Sequence, residues 1–153
     1  MAAYFFDSSA LAKRYISETG TAWVTTIIEP STGARIYVAA ITGVEVVAAV
    51  ARKLKGGGIS ALDAAAMLSQ FHSDYGSEYR VIAVSDAIIS RAMALAETHA
   101  LRGYDAVQLA AAVETNLRRS ALGATPLTLI TADIDLLDAG VAEGFLTDDP
   151  NTH

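Results

Sequence analysis

The chain has 153 residues, a formal net charge of -6, and 52% hydrophobic against 18% charged residues. That balance excludes a disordered chain, and the length suits one compact domain rather than two. No cysteine occurs, so disulfides, thiolate nucleophiles and Cys-ligated metal centres are ruled out. The acidic balance argues against a broadly basic nucleic-acid binder.

Tyr4-Phe5-Phe6 reads as a strand, and Asp7-Ser8-Ser9 as caps for a helix over Ala10–Ile16. Gly20-Thr21 opens a second helix over Ala22–Ile28, stopped by Pro30. Arg35–Ala39 is β-branched and apolar, hence a second strand. Thr42 is placed as the cap of a helix running through Glu45 to about Lys55. The Gly56-Gly57-Gly58 turn ends it, and Ser60 caps the next helix, Ala61–Tyr75. Val81–Val84 is a third strand. Ser85-Asp86 caps a helix whose apolar residues Ile88, Ala92 and Leu95 recur at helical spacing.

Gly103 breaks that helix, and Tyr104-Asp105 opens another that ends near Arg118-Arg119, where cations suit the helix dipole. Leu127–Thr131 is a fourth strand, Asp133 caps a helix to about Glu143, and Gly144–Thr147 is a short fifth strand. Residues 1–147 form one domain, and the polar tail 148–153 is expected to be loose. Alternating strands and helices predict an α/β domain with a parallel sheet covered on both faces. The N-terminus lacks a basic export region, and no apolar run approaches the roughly 20 residues of a membrane span. A soluble cytoplasmic protein is the expectation, with no membrane partner.

In an open α/β sheet the functional crevice lies beyond the carboxyl ends of the strands. Asp7 follows the first strand, Glu45 lies in the helix after the second, Asp105 opens a later helix, and Asp133 follows the fourth strand with Asp135 two residues on. Carboxylates that converge repel one another, so they take up protons or a cation. Oxygen donors without His or Cys favour Mg²⁺ or Mn²⁺, which suits phosphodiester hydrolysis.

Each acid also has a plainer reading. Asp7, Asp105 and Asp133 stand where helix caps belong. Glu45 lies in the apolar run Val44-Glu45-Val46-Val47-Ala48 and needs a partner, for which Arg52 on the same helix face is the candidate. Asp63, Asp74, Asp86 and Asp138 read as solvated or capping acids, and His72, His99 and His153 lack metal-ligand spacing. A phosphatase Asp-x-Asp pair is broken by Ser9. A receiver site lacks its late Lys, and a Gly-x-Ser-x-Gly hydrolase motif is absent.

Four segments resemble PIN-domain ribonucleases. They are Tyr-Phe-Phe-Asp7-Ser-Ser-Ala-Leu-Ala-Lys-Arg-Tyr, Thr-Gly-Val-Glu45-Val-Val-Ala-Ala-Val-Ala-Arg, Leu-Arg-Gly-Tyr-Asp105-Ala-Val-Gln-Leu-Ala-Ala-Ala and Leu-Ile-Thr-Ala-Asp133-Ile-Asp135-Leu-Leu. Each is weak alone, but their order and separation match over residues 3 to 147. The size resembles the VapC toxins of toxin–antitoxin pairs.

The resemblance implies a three-layer α/β/α sandwich with a five-stranded parallel sheet and a Mg²⁺- or Mn²⁺-dependent endoribonuclease. It implies an acidic quartet of Asp7, Glu45, Asp105 and Asp133, with Asp7 and Asp105 as metal ligands and the other two orienting the attacking water. Ser9 or Thr131 would hold a ligand or water by its hydroxyl, and Asp135 is a rival to Asp133. A homodimer and a cognate antitoxin are implied as well. The alternatives are a non-catalytic PIN-like assembly module, and a metal-dependent nuclease or phosphoesterase acting on DNA or small phosphoesters.

Two further expectations concern surfaces. The helices over Ala10–Ile16, Ala22–Ile28, Val44–Leu54 and Ala61–Phe71 carry more apolar surface than one small sheet needs, which favours a partner. The cations Lys13-Arg14, Arg52–Lys55, Arg102 and Arg118-Arg119 offer a local RNA track despite the net charge.

Overall fold

The computed structural model describes all 153 residues. The strands are β1 (Ala3–Phe6), β2 (Arg35–Ala39), β3 (Arg80–Ile82), β4 (Thr128–Ile130) and β5 (Leu146–Asp148). They form one all-parallel sheet in the order β3-β2-β1-β4-β5. Helices α1 (Ser8–Tyr15) and α2 (Thr21–Ile28) join β1 to β2. Helices α3 (Ala40–Lys55) and α4 (Ala61–Ser77) lead to β3, α5 (Asp86–His99) and α6 (Gly103–Ala121) to β4, and α7 (Ile134–Ala142) to β5.

Alternation along each strand makes the two faces. Phe6, Ile36, Val38 and Ile130 face a core shared with Leu11 and Tyr15 of α1, Val24 of α2, Val46 of α3 and Phe71 of α4. Their neighbours Phe5, Tyr37, Ala39 and Leu129 face the other way, onto Ile88 of α5, Leu109 of α6 and Leu136 of α7. Both faces are therefore buried, as an all-parallel sheet requires. The result is the three-layer α/β/α sandwich that the sequence pattern and its resemblance predict. No helix is long and apolar enough to cross a membrane.

Chain order and strand order part at β1. The chain adds β2 and β3 on one side, then crosses β1 to place β4 and β5 on the other. This reversal leaves a crevice at the carboxyl ends of β1 and β4, the switch point where α/β sheets bind ligands. Asp7 immediately follows β1, and Asp133 lies three residues past the end of β4.

Several local expectations change. The first helix starts at Ser8, because Asp7 itself caps it by accepting from the Ala10 N–H at 3.0 Å. Thr42 caps nothing. Helix α3 begins at Ala40, directly off β2, and Thr42 is fully buried inside its first turn. The third strand is Arg80–Ile82 and the fifth Leu146–Asp148, each offset from its expected range.

The tail is not loose. Pro150 is buried, Asp149 caps a short 3-10 turn over Pro150–Thr152, and the His153 ring stacks on Trp23 with centroids 4.0 Å apart. Gly20, at φ +90°, makes room for this: a Cβ there would lie 2.5 Å from the Pro150 carbonyl oxygen. Asp74, expected at the surface, is buried. It accepts from the Tyr15 hydroxyl and from Gln70 Nε2, both at 2.8 Å, and Arg14 Nε lies 3.7 Å away. This network fastens α1 to α4. The Tyr15 hydroxyl also bonds that of Tyr79, and burial raises the pKa of both.

Candidate active site

A cleft of about 830 Å³ opens at the switch point. It is lined by Asp7 from the end of β1, Glu45 from α3, Asp105 from the first turn of α6 and Asp133 at the start of α7. Two of these acids come from one helical layer and two from the other, so the cleft straddles the carboxyl edge of the sheet. Four segments far apart in sequence thus deliver carboxylates to one place.

The four are held differently. Asp7 is 2% exposed and the most constrained. Both its oxygens accept from the Ser9 hydroxyl, at 2.8 and 2.9 Å, and one also accepts from Ala10 N–H. Burial raises its pKa to about 7 against the pull of the bonds from Ser9, Ala10 and Thr131, and the charge of Asp105 adds to the rise. Asp133 caps α7 by accepting from Leu136 N–H at 2.9 Å, and Arg102 lies 4.0 Å from its other oxygen.

Asp105 is not a cap. Arg102 occupies that position without a side-chain bond, and Asp105 lies three residues further on. No hydrogen bond holds its carboxylate, which leaves it free for other work. Burial, and then the charges of Asp133, Glu45 and Asp135 against that of Arg102, raise its pKa.

Glu45 does not pair with Arg52, contrary to expectation. Its partner is Gln108, whose Nε2 donates to Glu45 at 3.1 Å and to the buried Thr42 hydroxyl at 2.8 Å. Gln108 is 1% exposed and reaches from α6 across the end of β2 to α3. Its Oε1 finds no donor. A buried acceptor left unpaired costs about 1–3 kcal/mol, which leucine there would avoid. The amide earns its place by donating to both Thr42 and Glu45, which ties α6 to α3 and fixes the Glu45 carboxylate. The sequence reading passed over Gln108, although a glutamine among Ala106, Leu109, Ala110 and Ala111 is a polar break in a buried stripe.

The supporting residues sort cleanly. Ser9 joins the two central strand ends: besides bonding Asp7, its oxygen accepts from Ala132 N–H at 3.0 Å. Thr131 is fully buried behind the cleft and accepts from Asp133 N–H at 3.1 Å. Asp135 is exposed and outside the cleft lining, so Asp133 is the acid that faces it.

Two of the expected cations turn inward, while Lys55, Arg102 and Arg118 stay exposed. Lys13 is 6% exposed and bonds the Thr19 carbonyl at 2.8 Å and Glu18 at 3.3 Å. Arg119 is 7% exposed, bonded to the Thr125 carbonyl and the Tyr37 hydroxyl, at the opposite end of α6 from the cleft. Arg52 remains exposed on the cleft lining without an acid partner.

Fit to a divalent ion follows from donor chemistry. The cleft acids supply only hard oxygen donors. As they stand, no three acidic or His side chains converge into a ready-made cage. A Mg²⁺ ion needs no such cage, since it binds through one or two carboxylates and retains waters. Burial is the main cause of the raised pKa values of Asp7 and Asp105, neighbouring carboxylates add to it, and a bound cation would offset both.

Ser9→Ala tests how Asp7 is kept ionisable. Losing a charge-assisted bond, worth about 1.5–3 kcal/mol, should raise the Asp7 pKa further. The acid limb of a pH profile for metal binding should move up by about 1 pH unit or more. A profile that stays in place would show that Ser9 does not govern that proton.

No protein-family profile matches the chain, and neither does any curated protein. Solved structures do. The chain is similar to FitAcB from Neisseria gonorrhoeae, at 17% identity over 96% of this chain and 97% of that one, with a TM-score of 0.64. A toxin–antitoxin complex from Klebsiella pneumoniae is 20% identical over 96% and 97%, with a TM-score of 0.61. VapBC2 from Rickettsia felis, bound to a DNA fragment from its promoter, is 14% identical over 96% and 98%, with a TM-score of 0.60. At such identities the likeness concerns architecture. It extends nearly end to end, and the chain has the PIN-like α/β/α fold.

Proposed function

We propose that the protein is a VapC-type toxin, a metal-dependent endoribonuclease held in check by an antitoxin. The observation that carries this reading is the convergence of Asp7, Glu45, Asp105 and Asp133 on one cleft at the switch point. Four unrelated caps and surface acids have no reason to meet there. Asp7 and Asp105 are the proposed ligands of Mg²⁺ or Mn²⁺: one is buried and pre-oriented, the other unencumbered. The bound ion would polarise the phosphoryl oxygens and lower the pKa of a bound water.

The chain's own residues do the rest. Glu45, oriented by Gln108, takes the proton of the attacking water as it adds to phosphorus. Asp133 orients that water from the α7 side. The phosphorus–oxygen ester bond breaks, the leaving oxygen takes a proton from solvent water, and Glu45 returns its proton to solvent. Asp7 must be ionised to serve, so at limiting metal activity should fall as pH drops through about 7.

The partner reading has two supports. Similar folds occur in a toxin–antitoxin complex and in VapBC2. An apolar groove of about 500 Å³ between α3 and α4 is lined by Val44, Val47, Phe71 and Tyr75, with Val44 70% exposed at its lip. A homodimer would cover further exposed apolar residues such as Leu62 and Met93.

The test compares single-stranded RNA, DNA of the same sequence and an aryl phosphate at matched Mn²⁺. RNA alone should be cut, and EDTA should stop it. Undiminished cleavage in EDTA refutes the role of the carboxylates. Cleavage of DNA or the aryl phosphate instead favours the phosphoesterase alternative, and no cleavage with any metal leaves an assembly module.

A further inference from the structure

Beyond the acids, the cleft has features that its hydrolytic chemistry does not use. The chain has one Trp, six Tyr and four Phe. Among these rings Tyr104 is the exposed one, at 62%, and it lies on the cleft lining beside Asp105. Its hydroxyl makes no hydrogen bond within the protein, unlike those of Tyr15, Tyr37, Tyr75 and Tyr79. It is therefore neither a core ring nor a structural tether.

Across the cleft, Arg52 follows Glu45 by seven residues on the same face of α3, about 10 Å along the helix axis. It is the cleft's exposed cation, and no carboxylate holds it, whereas Lys13 is tied to Glu18 and Thr19. Ala48 and Ala49 lie between Glu45 and Arg52 along α3, and with Ala12 and Ile16 they give the cleft lining small or apolar side chains.

An aromatic face at one lip, acids in the middle and a free guanidinium at the far end match an extended strand in three parts. Bases stack on aromatic rings, and guanidinium groups take phosphates. We propose that the cleft binds single-stranded RNA with a base beside the cleaved bond stacked on Tyr104 and a neighbouring phosphate held by Arg52. This deepens the ribonuclease reading and rests on it. A duplex keeps its bases stacked inside and offers Tyr104 no face, so the geometry selects unpaired RNA. Stacking tolerates every base, so Tyr104 supplies affinity and register rather than sequence choice.

The experiment measures binding of a fluorescein-labelled single-stranded RNA in Mg²⁺, in a Glu45→Gln background that keeps the proposed metal ligands Asp7 and Asp105 while leaving the strand intact. Tyr104→Ala should weaken binding by about 5- to 150-fold, the usual worth of one stacked base, while Tyr104→Phe stays within about twofold. Against a strand of abasic ribose phosphates, Tyr104→Ala should cost nothing. Arg52→Gln should weaken binding and lower the salt slope by about 0.7, the value for one phosphate contact on a single strand.

Equal losses for Tyr104→Ala and Tyr104→Phe, or the same loss on the abasic strand, would overturn the stacking role. An unchanged salt slope would overturn the phosphate role. If the wild-type protein cuts RNA but these variants bind as the parent does, the subsites fall and the ribonuclease reading stands. If the parent binds no RNA and the wild type cuts none, both fall together.

Discussion

Asp7→Asn is expected to reduce RNA cleavage by more than about 100-fold while making the metal-free protein more stable at pH 8. The activity loss exceeds the 10- to 100-fold typical of removing a residue behind a metal ligand, because Asp7 is placed as a ligand itself. The stability gain follows from its burial. Asp7 has a pKa raised from 3.8 to about 7, so the native state holds a proton that the unfolded chain has already released.

Between those two values the folded protein binds more protons than the unfolded one, so stability falls as pH rises from about 4 to 7 and levels off above. The ionised group costs up to roughly 4 kcal/mol at pH 8. An amide can still accept from Ala10 N–H, so about 1–3 kcal/mol should be recovered. For a chain of this size that raises the melting midpoint by roughly 2–10 °C. The wild-type midpoint should also decline from pH 5 to 8 more steeply than that of the variant. Calorimetry at the two pH values and a cleavage assay check both halves. A folded Asp7→Asn protein with full activity would remove the basis of the proposed mechanism.

The second large effect concerns metal itself. Adding Mn²⁺ or Mg²⁺ at about 100 times its dissociation constant should stabilise the wild type by about 2.7 kcal/mol, or roughly 5–10 °C in melting midpoint. The stabilisation should grow as pH rises through 7, because binding must displace the proton from Asp7. Titration calorimetry in two buffers of different ionisation enthalpy should register that proton. Both signals should vanish in Asp7→Asn and weaken in Asp105→Asn. A pH-independent stabilisation that persists in Asp7→Asn would move the ion elsewhere on the protein. These measurements need no substrate, so they test the metal site apart from the nuclease activity.

The two predictions share one cause. The fold places a carboxylate in a buried position, where charge is expensive, at the point where charge is needed. Ser9, Ala10 N–H and Thr131 reduce that cost without cancelling it, since the pKa of Asp7 stays high. A cation would complete the balance. On the proposed reading, stability is given up locally for a site that a cation would complete.

Much of this was legible in the chain. Strand β2 was read at its observed bounds from Arg-Ile-Tyr-Val-Ala, because β-branched and aromatic residues between turn signals have few other uses. The Ser60 and Ser85 caps were equally plain, since a cap is decided by a few neighbouring atoms. The placing of four acids near strand ends followed from the same local grammar plus the switch-point rule. What local grammar misjudged were side chains whose partners lie far off in sequence. Thr42 resembles a cap, yet its hydroxyl belongs to Gln108, and Asp74 resembles a surface acid, yet Tyr15 and Arg14 enclose it.

Sequence alone determined the order of elements, the two buried faces of the sheet and the candidate acids, because periodicity and capping are properties of adjacent residues. Tertiary structure alone decided the chemistry of the site. Asp105 is free rather than a cap, and Asp133 rather than Asp135 faces the cleft. Glu45 is held by Gln108, and of the cations expected to serve RNA, Arg52 stays available at the cleft while Lys13 turns inward. The net charge of -6 shows the same division. It excluded a uniformly basic surface, but only the packing showed that the acids are gathered in one cleft. The physical reason is that burial and pairing depend on groups brought together from opposite layers of the sheet, and no window along the chain contains both.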